Sequence, residues 1–167
     1  PVIDPDHPSL IPHGDMPRRI AERCRAGGEP VPADPAATVR CIFESLALKY
    51  RYCFERIADL TGKPIRVIHI VGGGARTDLL CQLTADATGL PVVAGPVEAT
   101  AIGNALVQAM GHGRLSSLDD IRAVVRQSTL LTRYEPTPDS SDRARWDEAM
   151  SRLEAQMARD RADVPAT

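Results

Sequence analysis

A run of mainly β-branched aliphatic residues leads directly into three consecutive glycines near the middle of this chain. The run covers residues 65–71 and is interrupted by His69. Such a run predicts a strand covered on both faces in a mainly parallel sheet. A helix is predicted after the glycines, over residues 76–88, and a second strand and helix are predicted at residues 91–94 and 99–110. This alternation predicts an α/β fold.

Two helices are predicted before the strand. The first begins near Asp15, which can cap it, and ends at the glycine pair 27–28. The second begins at Asp34, shows apolar residues at steps of three and four, and ends at Gly62. The chain is therefore expected to be helix-rich.

The four cysteines are not spaced as a zinc site or a CxxC redox pair, and His69 has no partner at metal-ligand spacing. No metal role is predicted for these residues. If the first two helices form a hairpin, Cys24 and Cys41 approach each other. The sequence leaves two possibilities for this pair: two buried free thiols or a disulfide.

The last part of the chain is predicted to be mostly helical. Ser117 can cap a helix that ends near residue 126, and residues 128–140 are expected to be extended or loop. A terminal helix carries an apolar stripe that is expected to dock on the rest of the chain: Trp146, Met150, Leu153 and Met157. Small residues in the helix at 99–110 are expected to permit close packing: Ala99, Ala101, Gly103 and Ala105.

Composition excludes several classes of partner. The chain has 167 residues, a formal net charge of -2 and a pI near 6.1, so it lacks the basic field that nucleic acids or anionic membranes select. No stretch approaches the roughly 20 apolar residues of a membrane span, and the polar start is unlike a signal peptide. A cytoplasmic protein is expected.

The glycine turn at Gly72, Gly73 and Gly74 admits several interpretations. A Walker loop needs a Gly-Lys-Ser/Thr ending for the phosphates, which is absent here. A Rossmann loop needs a third glycine where Thr77 stands and an acid after the next strand, which instead ends at Ala94. Two interpretations remain: glycines that clear space for a nucleotide base and ribose, or glycines needed only for tight packing.

Three segments around this turn carry a family resemblance. They read VIHIVGGGAR at 67–76, LLCQLTADATG at 79–89 and VVAGPVEATAIGN at 92–104. Together they resemble the adenosine-motif region of the FGGY family of carbohydrate kinases. The segments AGPVEAT at 94–100 and ESLALKYR at 44–51 resemble most closely the members that act on L-rhamnulose, and the opening IDPD at 3–6 also resembles the corresponding stretch. The resemblance covers roughly residues 2–136.

The resemblance implies a fold and an activity. The family fold is a pair of actin-like, RNase H-like domains with ATP between them, and this chain resembles the latter part of the second domain. The implied reaction transfers the γ-phosphoryl group of ATP, with Mg²⁺, to a ketose such as L-rhamnulose, with an Asp as base. The family's phosphate loops, catalytic Asp and most sugar-binding residues lie upstream of the matched segment. The chain alone is therefore expected to be inactive without the missing N-terminal kinase portion.

The resemblance also implies which residues contact adenosine. Gly73 is the strongest candidate, and five others follow: Gly72, Gly74, Ala75, Thr77 and Asp78. The family often has Asn or Ser where Thr77 stands, and Asp78 also suits a helix start, as does Glu98. No catalytic or metal-binding residue is predicted.

The expected organisation is a single domain in three segments. Residues 1–33 form an irregular arm and a short helix, residues 34–136 the portion of the kinase C-terminal domain, and residues 137–167 a helix and a disordered tail. Two alternatives to an L-rhamnulose kinase stay open: a kinase of another ketose, such as xylulose or fuculose, or a non-catalytic actin-like module that binds nucleotide or a partner.

Overall fold

Six helices and three short strands are formed by residues 1–162, the residues that the computed structural model describes. The helices are α1 (Met16–Gly27), α2 (Pro35–Thr61), α3 (Asp78–Thr88), α4 (Ala99–Gly111), α5 (Leu118–Ser128) and α6 (Ser140–Ala162). The strands are β1 (Ile68–Ile70), β2 (Val92–Ala94) and β3 (Thr132–Tyr134). None of these helices combines the length and the apolar character that are needed to cross a membrane. The predicted disordered tail, residues 163–167, lies outside the described residues.

The three strands form one sheet in the order β1-β2-β3. Strands β1 and β2 are parallel, with Ile68 opposite Val92 and Ile70 opposite Ala94. Strand β3 runs antiparallel to β2, with Tyr134 opposite Val92. Since parallel neighbours need a crossover connection, α3 fills that role between β1 and β2. The helix-rich α/β architecture predicted from the sequence is confirmed.

The largest apolar cluster lies beneath α6, which packs against both α2 and α3. Leu48 of α2 and Leu83 of α3 are at most 4% exposed there. The predicted stripe of α6 is entirely buried in the same cluster, as four side chains show: Trp146, Met150, Leu153 and Met157. The docking of the terminal helix is confirmed.

The first residues of the chain are anchored although they form almost no regular structure. Val2 and Ile3 are each 2% exposed, and the Ile3 amide donates to Ser45 Oγ at 3.0 Å. Lys49 Nζ lies 2.8 Å from Asp4 Oδ1. The buried Gln156 donates through Nε2 to the Val2 carbonyl at 3.0 Å. The beginning of the irregular arm, Val2 and Ile3, is therefore part of the core.

The predicted cysteine pair is buried between the arm, α1 and α2. Cys24 and Cys41 belong to one apolar cluster and have no solvent exposure, while Cys53 is exposed. All four cysteines are free in this structure. Burial raises the pKa of the Cys41 thiol to about 12 and also raises the pKa of Cys24, since a thiolate loses its hydration there.

Strand β1 is shorter and less covered than predicted. Only Ile68–Ile70 are in the strand, with Ile68 buried, His69 exposed and Ile70 half-buried. The expectation of a strand covered on both faces was wrong. Helix α3 packs on β2 and β3, and among residues 1–162 no helix makes substantial contact with β1.

Two details refine the prediction. Residues 132–134 form β3 within the segment 128–140, which the sequence predicted to be extended or loop. The strand is only three residues long and mostly exposed, so no clear apolar alternation marked it as a strand. The predicted helix start at residue 76 is a 3₁₀ turn, Gly72–Arg76, and α3 begins two residues later.

The small residues of α4 do not pack as predicted. The helix contains no buried residue, and a Cβ placed on Gly103 meets nothing within 4 Å. Within the described residues its main neighbour is α5. Packing inside this chain therefore does not explain the small side chains.

The predicted caps are confirmed for two helices and wrong for one. The Asp34 side chain accepts from the Ala37 amide, and Ser117 accepts from the Asp120 amide. Asp15 precedes α1 but its side chain does not cap the helix, because its backbone is left-handed, with φ 43°. Its carboxylate instead accepts from Arg18 Nε at 2.7 Å.

Candidate functional site

The six residues predicted to contact a nucleotide lie in one continuous segment between β1 and α3. The segment begins with the 3₁₀ turn Gly72–Arg76, which the Thr77 amide closes by donating to the Gly74 carbonyl at 3.2 Å. Helix α3 then begins at Asp78. The structure thus brings together Gly72, Gly73, Gly74, Ala75, Thr77 and Asp78 at the carboxyl end of β1. Their contact with a nucleotide stays a prediction.

The turn after β2 lies beside this segment. The Gly95 amide donates to the Ile70 carbonyl at 2.8 Å, and the Gly72 amide donates to the Pro96 carbonyl at 3.2 Å. Gly95 has φ 108°, and a Cβ placed on it would lie 2.9 Å from the Leu130 carbonyl oxygen. The two turns are therefore fixed side by side at the carboxyl ends of parallel strands, where α/β proteins bind ligands.

The three consecutive glycines have different physical reasons. Gly72 has φ 73°, a left-handed conformation that favours glycine. A Cβ placed on Gly74 would lie 3.3 Å from Ile70 Cγ2, so this glycine permits close packing on the strand. Gly73 has neither constraint, because its φ is not positive and a Cβ placed on it meets nothing within 4 Å. Within the described residues, backbone conformation explains Gly72 and packing explains Gly74, but neither explains Gly73.

Thr77 stands at the amino end of α3 without capping it. Its backbone has φ -108° and ψ 89°, and its side chain makes no capping hydrogen bond within residues 1–162. The hydroxyl and the amides of the first turn of α3 are thus left to other partners. A helix amino terminus also attracts negative charge.

Asp78 has a partner that sequence reasoning missed. Tyr134 of β3 donates its hydroxyl to Asp78 Oδ1 at 2.7 Å. This hydrogen bond to a carboxylate raises the pKa of Tyr134 to about 12, since ionisation would place two negative charges together. The two residues are 56 positions apart. No local pattern could have indicated the pair.

An exposed ion pair spans the two turns. Arg76 Nη2 lies 3.5 Å from Glu98 Oε1, and the two side chains are 70% and 71% exposed. Glu98 precedes α4 but does not cap it with its side chain. Because solvent screens both charges, the pair adds little stability and can open for a ligand at low cost.

The site is an open wall and not a closed pocket. Val71 and Leu79, on either side of the turn, are 52% and 43% exposed. A groove of about 430 Å³ lies elsewhere, between α1 and α2, and is lined by Met16, Ile20 and Ile42 among others. Within residues 1–162 no three His, Cys, Asp or Glu side chains converge as metal ligands. The wall can contact a planar apolar group through its backbone.

Comparison with known proteins gives the same family. The profile described as "FGGY family of carbohydrate kinases, C-terminal domain" matches residues 1–112. A rhamnulokinase of Bacteroides thetaiotaomicron is 47% identical over 148 residues, which are 89% of this chain and 30% of that protein. A rhamnulokinase of Klebsiella pneumoniae strain 342 is 45% identical over 139 residues, 83% of this chain and 28% of that protein.

A solved structure is also similar. The crystal structure of xylulose kinase from Rhodospirillum rubrum matches 75% of this chain and 25% of that chain, with a TM-score of 0.54 and 26% identity. The chain thus spans about 30% of the length of the curated relatives it matches. From the profile match and the rhamnulokinase relatives, we conclude that the chain belongs to the FGGY family of carbohydrate kinases and corresponds to part of its C-terminal domain.

Proposed function

We propose that this chain forms the adenosine-contacting wall of an ATP-dependent sugar kinase that phosphorylates L-rhamnulose. The observation that carries the proposal is made at Gly73. A Cβ placed on this residue would meet nothing within 4 Å, and its backbone conformation does not require glycine. This glycine lies at the carboxyl end of a parallel strand, and neither packing nor backbone conformation requires it. A glycine in such a place lets a ligand approach the backbone closely.

The segment 72–78 supplies positioning. The flat face of adenine and ribose rests against the backbone at Gly73, and the free Thr77 hydroxyl and first-turn amides of α3 offer hydrogen bonds to its edges. Binding the adenosine end holds the γ-phosphoryl group in line with the sugar hydroxyl, so the reaction is effectively unimolecular. The transfer yields ADP and a sugar phosphate.

The groups that move the phosphoryl group lie outside this chain. Several carboxylates of this chain have partners within it: Asp4 with Lys49, Asp86 with the Thr137 amide, and Asp120 with the Ser116 amide. When bound, Mg²⁺ would neutralise the phosphates, and the described residues offer it no ligand cluster. The remaining portion of the kinase is the partner that supplies the base, the phosphate contacts and most of the sugar site.

L-Rhamnulose is favoured over other ketoses by the relatives. The rhamnulokinases are 45–47% identical over most of this chain, whereas the xylulose kinase structure is 26% identical. A kinase of xylulose or fuculose is the second candidate. Comparing kcat/KM of the complete kinase for the three ketoses distinguishes them, and a preference for xylulose or fuculose overturns the first choice.

We place the complete kinase in the cytoplasm. Four unbonded cysteines, three of them buried, suit a reducing compartment. Fractionation of cells that express the complete protein tests this placement.

The nucleotide contact is tested by Gly73→Leu in the complete kinase. We expect KM for ATP to rise roughly tenfold or more, a loss of about 1.4 kcal/mol, because the side chain occupies the space of the base. KM for the sugar should not change. Gly111→Leu is the matched control, since that glycine also faces open space but ends α4 far from the turn. An unchanged KM for ATP in Gly73→Leu contradicts the proposed function.

A further inference from the structure

The chain that follows the sheet is held along one face of α3. Three α3 side chains at four-residue spacing make the contacts, and such residues share a helix face. Tyr134 donates to Asp78 Oδ1 at 2.7 Å, Gln82 Nε2 donates to the Glu135 carbonyl at 2.9 Å, and the Thr137 amide donates to Asp86 Oδ1 at 2.8 Å. Gln82 Nε2 also donates to Asp86 Oδ1 at 2.9 Å. We call the three contacts Asp78–Tyr134, Gln82–Glu135 and Asp86–Thr137 the α3 clasp.

The first pair of the clasp lies next to the glycine turn. Asp78 is the first residue of α3 and follows the turn directly. Tyr134 pairs with Val92 in the sheet and packs on the apolar cluster that the sheet shares with Cys81 and Ala85 of α3. Their hydrogen bond therefore ties the amino end of α3 to the sheet.

We propose that Tyr134 is a positioning residue for ATP, which acts by holding Asp78 and thereby the nucleotide-facing turn. Asp78 then serves as the acceptor of this hydrogen bond instead of contacting the ligand. The proposal rests on the proposed function of the turn. It also extends the functional part of the chain beyond residues 1–112, the range of the family profile.

The hydrogen bond between Tyr134 and Asp78 constrains the position of the turn. The turn has other attachments: the Thr77 amide bonds within it, the Cys81 thiol lies 3.7 Å from the Gly74 carbonyl, and Ala75 packs on the apolar cluster of the sheet. The Gly72 amide joins it to the neighbouring turn. The Thr77 side chain does not cap α3, and the Asp78–Tyr134 bond is the side-chain hydrogen bond that holds the first residue of the helix.

Tyr134→Phe in the complete kinase is the first test. It keeps the ring that packs on the sheet and removes only the hydroxyl. We expect KM for ATP, and Kd for ATP measured by calorimetry, to rise roughly three- to tenfold, the size of the net contribution of one typical hydrogen bond. KM for the sugar and kcat should stay within about twofold.

Tyr52→Phe is the matched control. The Tyr52 hydroxyl accepts a hydrogen bond from Arg161 Nη2 at 3.2 Å, between α2 and α6 and away from the turn. This variant also loses one hydroxyl hydrogen bond, and its affinity for ATP should equal that of the parent. If both tyrosine variants weaken ATP binding equally, or if Tyr134→Phe leaves Kd for ATP unchanged, the proposal is wrong.

Variants of Asp78 separate positioning from direct contact. Asp78→Asn keeps an oxygen acceptor for Tyr134 and should retain most of the affinity for ATP, whereas Asp78→Ala should lose it roughly as Tyr134→Phe does. Adding Asp78→Ala to Tyr134→Phe should cause no further loss, because both remove the same bond. Additive losses, or an Asp78→Asn variant as weak as Asp78→Ala, indicate direct ligand contact and overturn the proposal.

Gly73→Leu separates this inference from the proposed function. If Gly73→Leu weakens ATP binding while Tyr134→Phe does not, only the positioning role fails. When neither variant affects ATP binding, the nucleotide site itself is misplaced and both proposals fail.

Discussion

Two cysteines show how burial controls chemistry at the scale of single residues. Cys24 and Cys41 are fully buried in the same cluster, and burial raises the pKa of Cys41 to about 12 and raises that of Cys24 as well. A thiol with so high a pKa is almost entirely protonated at neutral pH, and the thiolate is the reactive form. Cys53, by contrast, is exposed to solvent.

We therefore expect one thiol to react quickly in the native protein. At pH 7.5 a maleimide should label Cys53 first, while Cys24, Cys41 and the buried Cys81 stay unmodified until the protein unfolds. Mass spectrometry after labelling, with Cys53→Ser as control, measures this. Four labelled thiols after unfolding without reductant agree with free cysteines. Only two labelled thiols would indicate a disulfide at Cys24 and Cys41.

At the scale of elements, buried and exposed helices differ in what the sequence revealed. The stripe of α6 predicted docking correctly, because large apolar residues recur on one side of the helix and are buried against α2 and α3. The small residues of α4 predicted packing wrongly, because small side chains indicate only that close approach is possible. Whether a neighbour is present depends on the rest of the fold.

The contribution of α6 is measurable at Leu153, which has no solvent exposure. Leu153→Ala should lower the free energy of unfolding by about 2–5 kcal/mol, since it leaves a cavity between α6 and its neighbours. Leu60→Ala is the matched control, because Leu60 is 87% exposed and its loss should cost less than about 0.5 kcal/mol. Urea unfolding gives both values, and equal values contradict the described packing.

At the scale of the whole molecule, the open wall and the exposed apolar side chains have the same explanation. Leu130 and Val107 are 96% and 52% exposed, and the chain spans about 30% of the length of its rhamnulokinase relatives. Large exposed apolar surface commonly marks an interface.

We therefore expect the 167-residue chain alone to phosphorylate no L-rhamnulose. An assay of ADP formation with ATP, Mg²⁺ and the sugar measures this, and the complete kinase is the positive control. ATP should also bind the isolated chain weakly, because the phosphate contacts are missing. Sugar-dependent ADP formation by the chain alone contradicts the assignment of all catalytic groups to the remaining portion.

Local signals in the sequence determined the α/β order, most helix ends and the position of the glycine turn. Capping residues and glycines act within a few positions of where they stand, as Asp34 and Gly62 do at the two ends of α2. The family followed from short segments of matching residues. The division into three segments stays a prediction.

Only the tertiary structure decided which faces are covered and why each glycine is present. It left one face of β1 and the whole of α4 without a buried side chain, it formed β3, and it joined Asp78 to Tyr134 across 56 residues. It also separated Gly73 from its two neighbours, because only coordinates show what a missing Cβ would meet. Contacts between residues distant in sequence depend on how elements pack, and no local pattern records that packing.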